Sequence, residues 1–265
     1  MQTHQISELC EVLETVAPLH LQEAYDNCGL LTGRPEWEIT GVLCSLDCTE
    51  EVLIEAQERS CNVVVCHHPV IFKGLKSLTG EDYVQRTIIS AIQKKIAIYA
   101  IHTNLDNVLK SGVNQKIAQK IGLSDIQILS PKQANVDYIG AGIIGRFQKP
   151  VILFDFLKHL KLQFQTGTIK YTKDLGKEIR TVAVCGGSGS FLTKEAIRQS
   201  ADVLVSSDFK YHDFFDADGK IVLIDIGHYE SEQFTIELLK ELVSEKFTNF
   251  AAHSTKINTN PIKYF

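Results

Sequence analysis

Short runs of unbroken apolar residues alternate along this chain with amphipathic stretches, and that alternation constrains the fold more than any other feature. Segments 39–46 (ITGVLCSL), 62–66 (NVVVC), 96–101 (IAIYAI), 179–185, 202–206 and 220–226 (KIVLIDI) read as strands. Runs without polar alternation bury both faces of a sheet, and helices between them supply the cover. Helical spacing appears over 6–16, where Ile6, Leu9, Leu13 and Val16 share a face and Thr3 or Ser7 is in position to cap. It appears again over 49–60, with Thr49 as cap, and over 83–95, 113–121 (closed by Gly122), 150–160 (Pro150 in its first turn), from about 192, and over 231–246. Segment 137–147 (DYIGAGIIGRF) reads as a glycine-punctuated strand. The pattern predicts an α/β protein of two lobes in a three-layer arrangement, 1–130 and 131–265, divided near Ser130-Pro131.

Composition narrows the class. The 265 residues carry 27 Lys+Arg against 32 Asp+Glu, a net charge of −5, which argues against a nucleic-acid partner because nothing here neutralises a run of phosphates. At 44 % hydrophobic the chain is too apolar for disorder. Its apolar runs fall far short of the roughly 18–20 residues of a membrane helix. The opening MQTHQISELCEVLET has acids where an export signal would be apolar, so a cytoplasmic location is expected. The seven Cys are scattered without a Cys-x-x-Cys, as suits reduced, mostly buried thiols.

Three expected strands end in potential metal ligands. After 62–66 come His67-His68-Pro69; after 96–101, His102-Thr103-Asn104-Leu105-Asp106; after 220–226, His228 with Glu232 four residues on. Ligands of parallel α/β folds bind outside the carboxyl ends of strands. Imidazole and carboxylate suit zinc, iron or manganese. Positions four apart share a helix face, which favours Glu232 over Glu230 as the partner of His228. His67 and His68, neighbours on an extended run, are expected to diverge, and this favours two ions over one. Cys66 then faces away from His67, as a buried thiol. A lone His after a strand is more often structural, and His4, His20, His159 and His253 read that way. The turn Cys185-Gly-Gly-Ser-Gly-Ser190 suits either a phosphate at a helix start or merely a tight connection. Asp208, Lys210, Tyr211 and His212 either support the ligands from behind or begin a surface helix.

These motifs together resemble the NIF-three-like family, whose bacterial members are named GTP cyclohydrolase 1 type 2 homologues. The resemblance rests on Cys66-His67-His68-Pro69, Ile101 to Asp106 and Gly227-His228-Tyr229-Glu230-Ser231-Glu232. Tyr25-Asp26-Asn27-Cys28-Gly29-Leu30 is similar to the family's Trp-Asp-Asn-x-Gly-Leu, Gly145-Arg146 and the Cys185 to Gly189 segment have counterparts, and Ala201 to His212 matches a further motif. Ser206-Ser207 stands where the family has Thr-Gly, so the loop after Ser207 is in question.

The resemblance implies two α/β lobes, a ring-shaped homohexamer and two divalent metal cations per subunit in a shared cleft. By motif, His68 and Asp106 would bind one ion and His67 and His228 the other, with Glu232 bridging. His102 would lie in or beside the site, and His102 or His212 would carry protons. The chain is short enough to be the compact form, without the domain that some members insert. The activity implied is hydrolytic opening of the guanine imidazole ring of GTP with release of formate. The alternatives are a two-metal phosphoesterase or amidohydrolase on another nucleotide-like substrate, and a non-catalytic ring protein that binds metal or a partner.

Overall fold

In the computed structural model, which describes residues 3–133 and 136–265, the apolar runs become strands of two separate sheets in a mixed α/β chain. Two compact units result. One runs to Leu105 and takes up Thr235–Pro261; the other holds Asp106–Phe234 and Ile262–Phe265. Along the first unit come α1 (Ile6–Val16), β1 (Gly29–Thr32), β2 (Gly41–Ser45), α2 (Glu50–Glu58), β3 (Val63–Cys66), α3 (Tyr83–Lys94) and β4 (Ala97–Ala100). The short α4 (Thr103–Asp106) carries the chain into the second unit. There follow α5 (Val113–Ile121), β5 (Ser124–Pro131), β6 (Gly140–Val151), α6 (Leu153–Phe164), β7 (Lys170–Tyr171), β8 (Ile179–Ser188), α7 (Thr193–Arg198), β9 (Val203–Ser207), β10 (Val222–Asp225) and α8 (His228–Glu232). The chain then returns to the first unit with α9 (Thr235–Lys246) and β11 (Ala251–Ser254).

The first sheet has the order β1-β4-β3-β2-β11, parallel except for β1. All residues of β2, β3 and β4 are buried, as unbroken apolar runs require. Leu43, Val64 and Ile98 are fully buried in its core, each worth roughly 1.5–3 kcal/mol of transfer free energy. Register aligns Ser45 with Cys66 and Cys66 with Ala100. The carboxyl ends of β2, β3 and β4 are therefore level, and the residues that follow, Asp47, His67-His68 and His102, leave the sheet side by side.

In the second sheet, β5-β6-β8-β9-β10-β7, only β8, β9 and β10 run parallel. Strands β5, β6 and β7 are antiparallel to their neighbours, so the unbroken apolar runs form parallel strands while the flanking strands of this sheet do not. Ser188 pairs with Ser207, and Ser206 with Asp225, which aligns the ends from which Asp208 and His228 emerge.

Helices α1, α2, α3 and α5 form where the periodicity predicts. Thr49 accepts from the Val52 N–H at the start of α2, and α5 ends on Gly122 at φ +86°. The cap of α1 is Gln5, whose N–H donates to Glu8, rather than Thr3 or Ser7. Three expectations are corrected, and one strand had no counterpart among them. The division near Ser130-Pro131 falls inside the paired hairpin β5–β6; the units part at Leu105/Asp106, and α9 and β11 belong to the first sheet's unit. Strand β5 goes unseen because only Ile128 and Leu129 of it are buried. Pro150 lies in the tail of β6, and the helix starts at Leu153. The single helix over 231–246 is two, α8 and α9, broken at Gln233 and Phe234. Among the described residues no helix is long and apolar enough to cross a membrane.

Candidate metal centre

The first unit gathers three imidazoles. His67, His68 and His102 each offer a ligand nitrogen within 4.8 Å of the others. Ring centroids stand 5.0 Å apart for His67–His68, 5.1 Å for His67–His102 and 5.3 Å for His68–His102. The expected divergence of His67 and His68 is thus corrected: the chain bends at both residues as it leaves β3, and the two-residue alternation of an extended strand ends at Cys66. Cys66 itself faces the core, with its thiol on the carbonyls of His68 (3.2 Å) and Tyr99 (3.6 Å). Burial pushes that thiol far up, so it is no thiolate ligand.

Each of these rings is held from behind through Nδ1. His67 donates to the Ile101 carbonyl (2.8 Å), His68 to Asp47 (2.8 Å) and His102 to Asp26 (2.9 Å). The carbonyl can only accept, and so can an ionised carboxylate. The proton therefore sits on Nδ1, and the lone pair of the neutral ring on Nε2. Both carboxylates are ionised. Burial works against Asp26, but His102, Thr103 and the Asn27 N–H hold it well below the usual range. Burial likewise opposes Asp47, and hydrogen bonds from His68 and Thr259 lower it. Asp26 has no exposed side-chain surface and accepts from both the N–H and the hydroxyl of Thr103.

The second unit brings together Asp106, His228 and Glu232. His228 Nε2 lies 3.1 Å from Glu232 Oε2, the contact expected of residues four apart on a helix. Its Nδ1 lies 2.7 Å from Asp208, so this fourth imidazole is held like the other three. Burial opposes protonation of His228, yet Glu232 and Asp208 outweigh it and raise the ring to about 11. Asp208 is lowered chiefly by His228, against burial, with help from the Ser188 hydroxyl. Asp106 and Glu232 both act on the buried Cys185 thiol, which burial first and these charges second push far up. Glu230 instead lies beside Gly227 and Tyr264.

The glycine-rich segment serves the donors. Its first four residues, Cys185 to Ser188, extend β8. Two of its amides are already spent: Gly186 donates to Asn114, and Gly187 to the Ser231 hydroxyl. A methyl group on Gly187, at φ +60°, would stand 2.5 Å from Glu232 Oε1. Ser207 is ordinary strand, bonding through its hydroxyl to the Gly187 carbonyl, and the left-handed residue is Asp208 at φ +58°. The departure from Thr-Gly thus carries no backbone strain at Ser207. His212 is exposed, its ring beside Tyr211 and Phe215, and it belongs to neither donor set. Sequence reasoning assigned no role to Asp26 or Asp47. Asp26 stood within a quoted motif and Asp47 just past a strand, and these were the available signals.

A family model described as Duf34/NIF3 (NGG1p interacting factor 3) matches residues 4–261. A Clostridium acetobutylicum protein named GTP cyclohydrolase 1 type 2 homolog is 32 % identical over 256 residues, covering 96 % of this chain and 93 % of its own. A Staphylococcus epidermidis protein of the same name is 30 % identical, covering 98 % and 100 %. That alignment spans 367 positions, so the relative holds residues that this 265-residue chain lacks. The crystal structure of Staphylococcus aureus protein SA1388 superposes with a TM-score of 0.92 at 32 % identity, covering 99 % of both chains.

Proposed function

This chain belongs to the Duf34/NIF3 family, and from that premise we propose that it is a dinuclear metal-dependent hydrolase acting on a nucleotide. One observation carries the reading: four imidazoles have Nδ1 on an oxygen acceptor, in the manner of metal-ligating histidines. The donors fit divalent cations of the zinc, iron or manganese kind in chemistry, three imidazoles in one unit and an imidazole with two carboxylates in the other. His67, His68, Asp106, His228 and Glu232 are the proposed ligands. Two such cations, when bound, would supply Lewis acidity and lower the pKa of water for hydrolytic attack.

The chain's own residues prepare that chemistry. Asp47 and Asp208 orient His68 and His228 and keep their rings in one tautomer. Gly187 leaves room for the Glu232 carboxylate. Buried thiols at Cys66 and Cys185 stay protonated and do not compete for the cations. The relatives' name supports GTP as substrate, with opening of the guanine imidazole ring and loss of formate, and the family resemblance supports assembly as a homohexamer.

The test is metal analysis of protein purified without added metal, followed by a nucleotide panel after reconstitution. Formate release and pterin fluorescence from GTP are the expected results, lost in His67→Ala and Glu232→Ala variants that still fold. Phosphate or nucleoside release without pterin replaces the ring-opening reading with a phosphoesterase. Absence of bound divalent metal, with no turnover after reconstitution, overturns the hydrolase.

A further inference from the structure

We propose that Tyr264 is a positioning residue for the second donor set: through Glu230 it fixes the turn from which His228 emerges. The inference rests on the reading of His228 and Glu232 as metal ligands. Gly227, the residue before His228, has φ +93° and ψ 144°, backbone that essentially only glycine adopts. Such a conformation persists only where its surroundings hold it. Three contacts do so. The Asp225 carboxylate accepts from the Gly227 N–H (3.1 Å), and the Ser231 N–H donates to the Gly227 carbonyl (3.0 Å). The Glu230 carboxylate closes the remaining side, with Oε2 in the space where a side chain of Gly227 would begin.

Glu230 is itself held by Tyr264. The Tyr264 hydroxyl donates to Glu230 and stands 3.2 Å from the place of the side chain that Gly227 lacks. The tyrosine is 44 % exposed and Glu230 only 6 %, so the hydroxyl turns away from water to meet a buried carboxylate. A carboxylate in that setting keeps its place only while it is hydrogen-bonded. The ring is seated over Gly167, where a methyl group would stand 2.5 Å from Cδ2. Gly167 does not have positive φ, so the ring, not the backbone, needs a glycine there. A tyrosine that merely packed would need no inward hydroxyl.

All of these residues lie in the second unit, Tyr264 within Ile262–Phe265 and the others within Asp106–Phe234. The chain of contacts ends on the donors. Without the phenol, Glu230 loosens its hold on Gly227, and the start of α8 moves with it. That start carries His228, whose Nε2 lies 3.1 Å from Glu232 Oε2.

The experiment compares the full chain with Tyr264→Phe, which removes one hydroxyl. In the metal-free proteins, amide exchange at Ser231 reads the hold on the Gly227 carbonyl. It is expected to quicken about three- to tenfold, the worth of one hydrogen bond. Amides of α9 such as Leu239 are expected to stay unchanged, which separates the effect from global stability. Cobalt(II) competition against a chelator is expected to show affinity falling by a similar factor, with an altered visible absorption. Gly167→Ala, which displaces the ring and leaves α8 untouched, is expected to act in the same direction. In a Glu230→Ala background Tyr264→Phe is expected to change nothing further. Parent-like Ser231 exchange in Tyr264→Phe overturns the proposal. So does faster exchange with the cobalt affinity and absorption of the parent, which reduces Tyr264 to a packing residue and leaves the metal reading standing. A parent that binds no metal overturns both.

Discussion

Gly187 and Glu232 are built for each other: the carboxylate occupies the space that any side chain at Gly187 would fill, 2.5 Å from where its first carbon would lie. Gly187→Ala therefore faces two penalties. Its φ of +60° costs an L-residue about 1–2 kcal/mol, and Glu232 must swing away from His228. The variant is expected to unfold several degrees lower, at about 2–4 °C per kcal/mol for a chain of this order. It is also expected to lose metal affinity in the second donor set. Calorimetry with and without metal checks both. Parent-like affinity in Gly187→Ala would remove the glycine from the site.

Asp208 lies behind His228, and its own backbone at φ +58° is one that Asn adopts readily. Asp208→Asn thus changes charge and acceptor strength with little backbone cost. Replacing such an outer partner commonly costs 10–100-fold in metal affinity. That loss is expected here in competition with a chelator, with the unfolding midpoint of the metal-free protein shifted far less. A fall in stability without a fall in affinity would make Asp208 a loop residue only.

All seven thiols are pushed up, first of all by burial, Cys10 and Cys61 to about 11 and Cys28 and Cys44 to about 12. A thiol raised on folding adds stability that is full below its unfolded pKa, about 9 here, and is lost as pH climbs through the folded value. Stability of the reduced protein is therefore expected to fall between about pH 9 and 12. Thiol-reactive probes at neutral pH are expected to label the native chain slowly and the unfolded chain at once. Rapid labelling of the native chain would show a thiolate that these environments exclude.

Legibility followed the range of each interaction. Helix α1 was readable residue for residue, because Ile6, Leu9 and Leu13 fill one buried face within eleven positions. The ligand residues were readable because strand ends and i,i+4 spacing are local. Their supports were not: Asp26 lies 76 residues from His102, and Asp47 lies 21 from His68. Tertiary pairing of β1, β2, β3 and β4 brings them together. The bend that turns His67 and His68 toward each other has no composition signal, since the period-2 rule ends with the strand. Nor does the break between α8 and α9, where Gln233 and Phe234 are neither Gly nor Pro.

Thr259 reaches the metal ligands through one intermediary. Its hydroxyl donates to Asp47 Oδ2 at 2.5 Å, while Asp47 Oδ1 holds His68. The segment after β11 thereby fixes a side chain more than two hundred residues earlier in the chain. A ranking follows. Asp47→Asn removes the charged acceptor, and its cost in affinity at the first donor set is expected to be 10–100-fold. Thr259→Val removes only the hydrogen bond that orients Asp47, about 0.5–1.5 kcal/mol in net terms, and the expected loss is at most about tenfold. Together they should cost no more than Asp47→Asn alone, since Thr259 acts only through Asp47. Cobalt titrations of the two single variants and the double close the cycle. Additive losses would mean that Thr259 supports the site by some route other than Asp47.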